Sequence, residues 1–300
     1  YEDVDTGKLL DKAIAGMMDY LGDDYSTYLD DETTAELFES LSGEYKGIGV
    51  SINNTDKSIV EVYKNTPASK AGIETGDIIV GFNNTDVTNM SATEVVEMIK
   101  NSTGNFTLQL KRGEQTITVT LKNETLIAPN TDYYMIENTN IGYLYMETFS
   151  NTLATQVKSA LEEMEKNGMT SLIIDLRNNT GGYLNSASDV ASIFLEKGKR
   201  IYSLEYQNEV NHYNDETREH KEYNIVVLIN ENTASAAEIL AAALKESYGA
   251  TIVGETSFGK GKVQQTMQLD DGSMVKYTSA YWLTPNGTCV DEIGINPDYY

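Results

Sequence analysis

Read by the spacing of its apolar positions, the chain divides into three stretches of different texture. In residues 1–42, Leu9, Leu10, Ile14 and Met17 recur at helical spacing, as do Met18 and Leu21, and Asp31 to Leu41 is a second short amphipathic run. This predicts an N-terminal helical segment. In residues 43–122 short strand-like runs take over, such as Gly49-Val50-Ser51-Ile52, Ile59-Val60-Glu61-Val62 and Thr116 to Leu121. Turn signals separate them, among them Thr75-Gly76-Asp77 and Lys111-Arg112-Gly113-Glu114. One helix interrupts this β-rich stretch at Ala92 to Lys100, with Val95, Val96 and Ile99 on one side and Gly104 beyond its end.

From residue 123 to residue 300 the pattern becomes α/β. Gly142 to Met146, Leu172 to Asp175, Ile225 to Ile229 and Ala250 to Val253 read as strands. Between them Leu153 to Lys166, Ala187 to Leu195 and the alanine-rich Ser235 to Lys245 read as helices. Buried strands alternating with amphipathic helices predict βαβ units and a largely parallel sheet. No internal repeat or low-complexity tract is visible.

Composition narrows the function classes. Three hundred residues with 40% hydrophobic and 23% charged content describe a folded chain of two or three domains. The formal charge of −24, from 46 acidic and 22 basic residues, repels phosphate backbones and anionic headgroups, so no nucleic-acid partner is expected. Cys289 is the single cysteine, which rules out an intrachain disulfide. No apolar run approaches the roughly 20 residues that span a bilayer. The first residue is Tyr1 rather than a methionine, so a leader or membrane tether is expected in the native precursor.

Parallel α/β sheets bind ligands where strands give way to helix N-termini, and two such loops are unusual here. Asp175-Leu176-Arg177-Asn178-Asn179-Thr180-Gly181-Gly182 ends in paired glycines, which let a backbone approach a ligand and offer its amides. Asn230 to Glu238 sets Ser235 at the start of a helix, where free amides and the helix dipole favour a developing oxyanion. A serine there is ordinarily a helix cap, and a paired glycine an ordinary turn. A nucleophilic serine also needs a base. The two histidines, His212 and His220, lie in the polar stretch Glu209 to Lys221 and read as surface residues.

A third loop supplies a base. Gly254 to Lys260 fits the phosphate-binding pattern Gly-x-x-x-x-Gly-Lys, which would make the chain a nucleotide binder. The Ser or Thr needed next for Mg²⁺ is replaced by Gly261, and strands rather than a helix follow. The other reading makes Lys260 the general base for Ser235. At an ordinary pKa near 10.4, fewer than about one lysine in a thousand is neutral at pH 7, so burial must depress it. Phe258 and Val263 are expected to provide the apolar surroundings, and Gln264 to orient the amine. An extended chain would separate Lys260 from Gln264 by about 13 Å, so a turn permitted by Gly261 is required.

These residues resemble the carboxyl-terminal processing peptidases, or tail-specific proteases, which cut with a serine–lysine dyad. The family's Ser-Ala-Ser-Ala-Ser-Glu run appears as Thr233-Ala234-Ser235-Ala236-Ala237-Glu238, and its Phe-Gly-Lys-Gly-x-Val-Gln stands intact as Phe258 to Gln264. Its Asp-Leu-Arg-Asn-Asn-Pro-Gly-Gly appears as Asp175 to Gly182 with Thr180 in place of proline. Gly22 to Leu29, Asp271-Gly272-Ser273, Tyr281 to Gly287 and Gly294 to Asp298 resemble further motifs of the family, so the likeness covers nearly the whole chain. The stretch Gly43 to Lys122 resembles a PDZ domain: Gly47-Ile48-Gly49-Val50 matches its carboxylate-binding loop, and Pro67-Ala68 through Ala71-Gly72-Ile73 to Gly76-Asp77 its central signature.

The resemblance implies an α/β, parallel-sheet-containing protease core with an inserted β-rich PDZ-like domain. It implies a serine endopeptidase with Ser235 as nucleophile, Lys260 as base and Gln264 as the base's partner. Gly181 (or Gly182) and Ala236 would supply the oxyanion amides, and no metal or cofactor is expected. A substrate's flexible tail would be captured by Gly47, Ile48, Gly49, Val50 and Ile52, adding a strand beside Val50 to Ile52 and against the helix Ala92 to Lys100. It further implies a bacterial, extracytoplasmic setting (secreted, cell-surface or periplasmic) and self-association through the terminal regions. A catalytically silent PDZ scaffold that only binds peptides is the alternative from a different class.

Overall fold

The computed structural model describes residues 4–300 and resolves into two compact units, Glu44–Ala128 and a larger one formed by the chain before and after it. The larger unit opens with α1 (Thr6–Asp19), whose first turn is capped by the Asp5 carboxylate accepting from the amides of Gly7 and Lys8. A three-residue strand, β1 (Thr27–Leu29), follows, and then α2 (Asp31–Ser42), capped by Asp30 and closed by Gly43 at φ 73°. β1 has too few residues for alternation to reveal it.

The smaller unit is built from β2 (Glu44–Gly47), β3 (Val50–Ile52), β4 (Ile59–Val62), the short helix α3 (Pro67–Lys70), β5 (Ile78–Phe82) and β6 (Thr85–Asp86). It continues through α4 (Ala92–Lys100), β7 (Asn105–Arg112), β8 (Gln115–Lys122) and β9 (Glu124–Ile127). The four strands β6-β5-β7-β8 form one antiparallel sheet, with β3 against β4 and β2 against β9 as separate pairs. The β2–β9 pairing carries this unit to Ala128, beyond the limit at Lys122 suggested by sequence texture. α4 starts where a reciprocal capping box between Ser91 and Glu94 allows, and it buries Ala92, Val95 and Ile99. A buried Asp77 carboxylate takes both Nε and Nη2 of Arg112 at 2.7 Å, which ties the turn before β5 to the end of β7.

The remaining elements complete the larger unit: β10 (Thr131–Met135), β11 (Ile141–Met146), α5 (Leu153–Lys166), β12 (Ser171–Asp175) and α6 (Leu184–Ala191). After them come β13 (Arg200–Glu205), β14 (Val210–Asn214), β15 (Asn224–Ile229), α7 (Ala236–Ala243), β16 (Thr251–Gly254), β17 (Lys262–Gln268) and β18 (Met274–Leu283). One sheet has the order β10-β11-β12-β15-β16, parallel except at β10. The predicted parallel α/β core is therefore present.

A second, antiparallel sheet is assembled from distant pieces. β18 pairs with β1, β17 and β13, and β13 with β14. α7 packs against α6 and β13, and all eight of its residues are buried, so an alanine-rich sequence is what lets it fit. Its chain does not continue as an α-helix to Lys245. It loosens into a π-helical turn over Leu244–Tyr248 and stops at Gly249, φ 93°. α6 likewise begins at Leu184, earlier than its apolar spacing indicates, because the Tyr183 amide is anchored on the Phe149 carbonyl.

Candidate active site

Three loops meet at the carboxyl ends of β12, β15 and β16. The Thr233 hydroxyl donates to the Leu176 carbonyl, the Ala234 amide donates to Asn179 O, and the Phe258 amide donates to Thr233 O. The loop before Ser235 is thus sewn to the glycine loop on one side and to the lysine loop on the other.

Ser235 stands just before α7 with φ 58° and ψ −121°, a conformation that non-glycine residues seldom adopt. Strain of this kind, of order 1–3 kcal/mol, persists only where the surroundings over-determine it. Its amide donates to Glu238 Oε2 at 2.8 Å. Gly181 lies directly against this turn: a Cβ at that position would fall 2.9 Å from both the Ala234 carbonyl oxygen and Ser235 Cβ, and 3.0 Å from the Ala236 nitrogen. Gly181 also has φ 102°, so the position requires glycine on two counts.

The paired glycines differ in what their amides do. The Gly181 amide donates to Asn179 Oδ1 at 2.8 Å and is already committed. Among the described residues no protein acceptor takes the amides of Gly182 or Ala236. Of the expected donors, Gly182 and Ala236 are the free pair.

Lys260 is held by its backbone on both sides. Its amide donates to Glu238 Oε2 at 2.9 Å, and its carbonyl accepts from Nε1 of the buried Trp282 at 2.8 Å. Its amine lies over the Tyr25 ring, 4.6 Å from the centroid. Burial pushes its pKa down, the charge of Lys276 adds to this, and the carboxylates of Glu238 and Asp23 work against it. Among the described residues no hydrogen bond joins the amine to Ser235 or to Gln264.

Gln264, expected to orient the amine, has its side-chain amide bonded within the second sheet. β17 runs extended from Lys262 with a register shift between Val263 and Gln264. The shift turns the Gln264 amide onto the Lys262 carbonyl at 3.1 Å and the Thr278 hydroxyl at 3.3 Å. Phe258 is 55% exposed and does not shelter the amine; the apolar cover comes from Tyr25 instead. Tyr25 is brought there by its neighbours. Asp23 accepts from Ser26, Thr278 and Lys262, and burial, which would raise its pKa, is outweighed by these bonds, so it is held at about 2. His212 and His220 are exposed, bonded to Ser203 and Glu222 respectively.

Sequence reasoning missed Tyr25 and assigned no role to Glu238. Glu238 is fully buried, and its second oxygen accepts from Ser257 Oγ at 2.6 Å and the Gly259 amide at 2.8 Å. The amides of Gly259 and Lys260, which a phosphate-binding loop would turn toward its ligand, are therefore occupied by a carboxylate. That geometry, with β17 rather than a helix following, removes the nucleotide reading. A buried glutamate three residues after a helix-opening serine was the available signal.

The smaller unit has its own candidate site. A groove of about 60 Å³ lies between β3 and α4, lined by Gly47, Ile48, Gly49, Val50, Ile52, Val96 and Ile99. The amides of Ile48 and Gly49 meet no protein acceptor among the described residues. Gly49 has φ 85°, and a Cβ there would strike Thr66 at 2.3 Å.

A mixed α/β core carrying a serine at the mouth of a buried helix, with a PDZ unit set into it near its N-terminal end, defines a class of peptidase. The sequence model of the PDZ domain matches residues 37–111, and that of the activating protease CtpB N-terminal domain matches residues 1–33. The chain belongs to peptidase family S41, whose model matches residues 140–300, more than half of it. It is 40% identical over 302 residues to the carboxy-terminal processing protease CtpA of Bacillus subtilis (strain 168), covering 99% of this chain and 65% of that protein. It is 36% identical to a probable CtpA-like serine protease of Staphylococcus epidermidis (strain ATCC 12228), covering 99% of this chain and 62% of that one. The chain thus spans somewhat under two thirds of the length of these relatives. Among solved structures it is similar to the photosystem II D1 C-terminal processing protease, with a TM-score of 0.58 and 28% identity over 96% of this chain and 81% of the other.

Proposed function

We propose that the protein is a serine endopeptidase of the carboxyl-terminal processing type, acting on unstructured or C-terminal peptide segments through Ser235 and Lys260. The observation that carries this reading is the shared carboxylate oxygen. Glu238 Oε2 accepts from the amides of both Ser235 and Lys260, so the strained serine and the partly buried lysine flank one atom. In the proposed reaction Ser235 Oγ attacks the scissile carbonyl, and the neutral Lys260 amine takes the hydroxyl proton and passes it to the leaving amine. The amides of Gly182 and Ala236 receive the oxyanion, and water then hydrolyses the acyl-enzyme, regenerating the serine. The backbone of Lys260 is clamped, so its side chain makes the motion, leaving the Tyr25 face for Ser235.

Substrate capture is proposed to fall to the groove between β3 and α4. Its free Ile48 and Gly49 amides suit a terminal carboxylate, and its apolar walls suit a small aliphatic last residue. Peptides ending in such a residue with a free carboxylate are expected to bind, and the same peptides as C-terminal amides are not. Fluorescence anisotropy reads both, and equal binding of acid and amide would remove the proposed carboxylate site. An extracytoplasmic setting and self-association through the terminal regions belong to the same proposal. The second is supported by α1, which exposes Leu9, Leu10 and Met17.

The enzymatic reading is tested by mixing the protein with a chromogenic ester. A burst of leaving group stoichiometric with protein, and a mass increment mapping to the peptide that contains Ser235, are expected. Failure to acylate Ser235 together with no cleavage of casein would leave a peptide-binding scaffold as the reading that stands.

A further inference from the structure

Glu238 is a buried carboxylate in the site that the proposed chemistry leaves unused, and its surroundings are specific. It is fully buried, yet it makes four hydrogen bonds, each donated to it: from the amides of Ser235 and Lys260 to Oε2, and from the Gly259 amide and Ser257 Oγ to Oε1. Three of these donors are backbone N–H groups, which cannot accept a proton in return, so Oε2, bonded to two of them, acts purely as an acceptor, as a carboxylate oxygen does. Burial raises the Glu238 pKa above the ordinary glutamate value, and the four bonds offset that rise only in part. Ser257 extends the network, because its Oγ accepts from the Ile295 amide at 2.7 Å.

We infer that Glu238 is a positioning residue for the proteolytic centre, an ionised clamp that locks the strained Ser235 turn to the Lys260 loop and keeps a negative charge beside the base. This rests on the peptidase reading above and adds to it a control of both geometry and proton affinity. Helix α7 supplies the carboxylate and β17 begins just after the lysine, so the clamp adds to the Phe258–Thr233 backbone bond a tie that reaches Ser235 and Lys260 themselves. The charge has a second effect, because a buried anion near an amine favours its protonated state. Lys260 faces Lys276 from β18, Asp23 and Tyr25 from the segment before β1, and Glu238 from α7, while Lys262 also approaches the Tyr25 ring and Asp291 acts on the Tyr25 hydroxyl. Of these, Glu238 alone is also bonded to the backbone of both Ser235 and Lys260.

The test compares wild type, Glu238→Gln, Ser257→Ala and Ser235→Ala on casein and on the ester, across pH, with thermal melting as the measure of folding. A glutamine keeps one acceptor oxygen but points an NH₂ at donors on the other side, so one half of the clamp must open. Glu238→Gln is expected to lower kcat about 100-fold with KM changed less than about twofold. Removing the charge should also move the acid limb of its pH–rate profile to lower pH. Ser257→Ala keeps the charge and loses one bond, so kcat should fall about tenfold with the acid limb unmoved. Wild-type kcat in folded Glu238→Gln, or a loss of rate with the limb in place, overturns the inference. If Glu238→Gln does not fold, Ser257→Ala decides by the same reading, and failure of both to fold assigns the cluster to stability alone and overturns it. A wild type with no activity would instead sink the peptidase reading, whereas an active wild type, a dead Ser235→Ala and an unaffected Glu238→Gln would sink only this one.

Discussion

Ser235→Ala and Lys260→Ala are each expected to reduce casein cleavage by about 10⁴-fold or more while leaving the melting temperature nearly unchanged. The two losses should not add, because in the proposed dyad hydroxyl and amine act as one unit. For Lys260 the reason for the nearly unchanged melting temperature is visible in the structure. Lys260 is fixed through its amide and carbonyl, and among the described residues its amine makes no hydrogen bond but lies over the Tyr25 ring. In the wild type the rate should rise with pH as Lys260 loses its proton, over a range below the ordinary lysine value of about 10.4. The sign follows from the cause: burial and the charge of Lys276 disfavour the ammonium form, and in the proposed mechanism the neutral amine is the base. Retained cleavage in either purified variant would reject the dyad.

Gly181→Ala carries the second large expectation, a fall in kcat of about 10²- to 10³-fold, the scale of a lost oxyanion donor. The methyl would lie 2.9 Å from Ser235 Cβ and from the Ala234 carbonyl and 3.0 Å from the Ala236 nitrogen, all parts of a rigid turn. The φ of 102° adds backbone strain to the clash. The turn must shift, and with it both the hydroxyl and the free Ala236 amide. Steady-state kinetics alongside a thermal melt check this; a folded variant with wild-type kcat would show that Gly181 does not abut the reacting groups. Gly182→Ala would instead drive its methyl to 2.4 Å from the Phe149 carbonyl, a clash with the bridge that anchors α6.

Much of the core was legible along the chain. The spacing of Val157, Ala160, Leu161 and Met164 gave α5 its observed limits, and Val95 and Ile99 did the same for α4, because a helix facing a core writes its period into consecutive residues. The second sheet was not legible. β1 contributes three residues and pairs with β18 across most of the chain, and β14 is exposed at every position, so neither leaves an alternating pattern. Helix ends shifted wherever a distant group intervened, as at Leu184, where the Phe149 carbonyl takes the preceding amide, or at Leu244, where the helix loosens into a π turn.

In the site the division falls at the side chains. The amino-acid order alone determined that a serine opens an alanine-rich helix, that paired glycines follow a buried strand, and that a lysine stands in a glycine loop after another. These are matters of neighbouring residues and local backbone freedom. Only tertiary structure decided what surrounds the amine. It put the Tyr25 ring there rather than Phe258, turned Gln264 away through a bulge in β17, committed the Gly181 amide to Asn179, and made Glu238 the common acceptor of two loops. The reason is physical: a proton affinity and an open amide depend on which atoms lie within a few ångströms in space, and those atoms come from segments with no local relation in sequence.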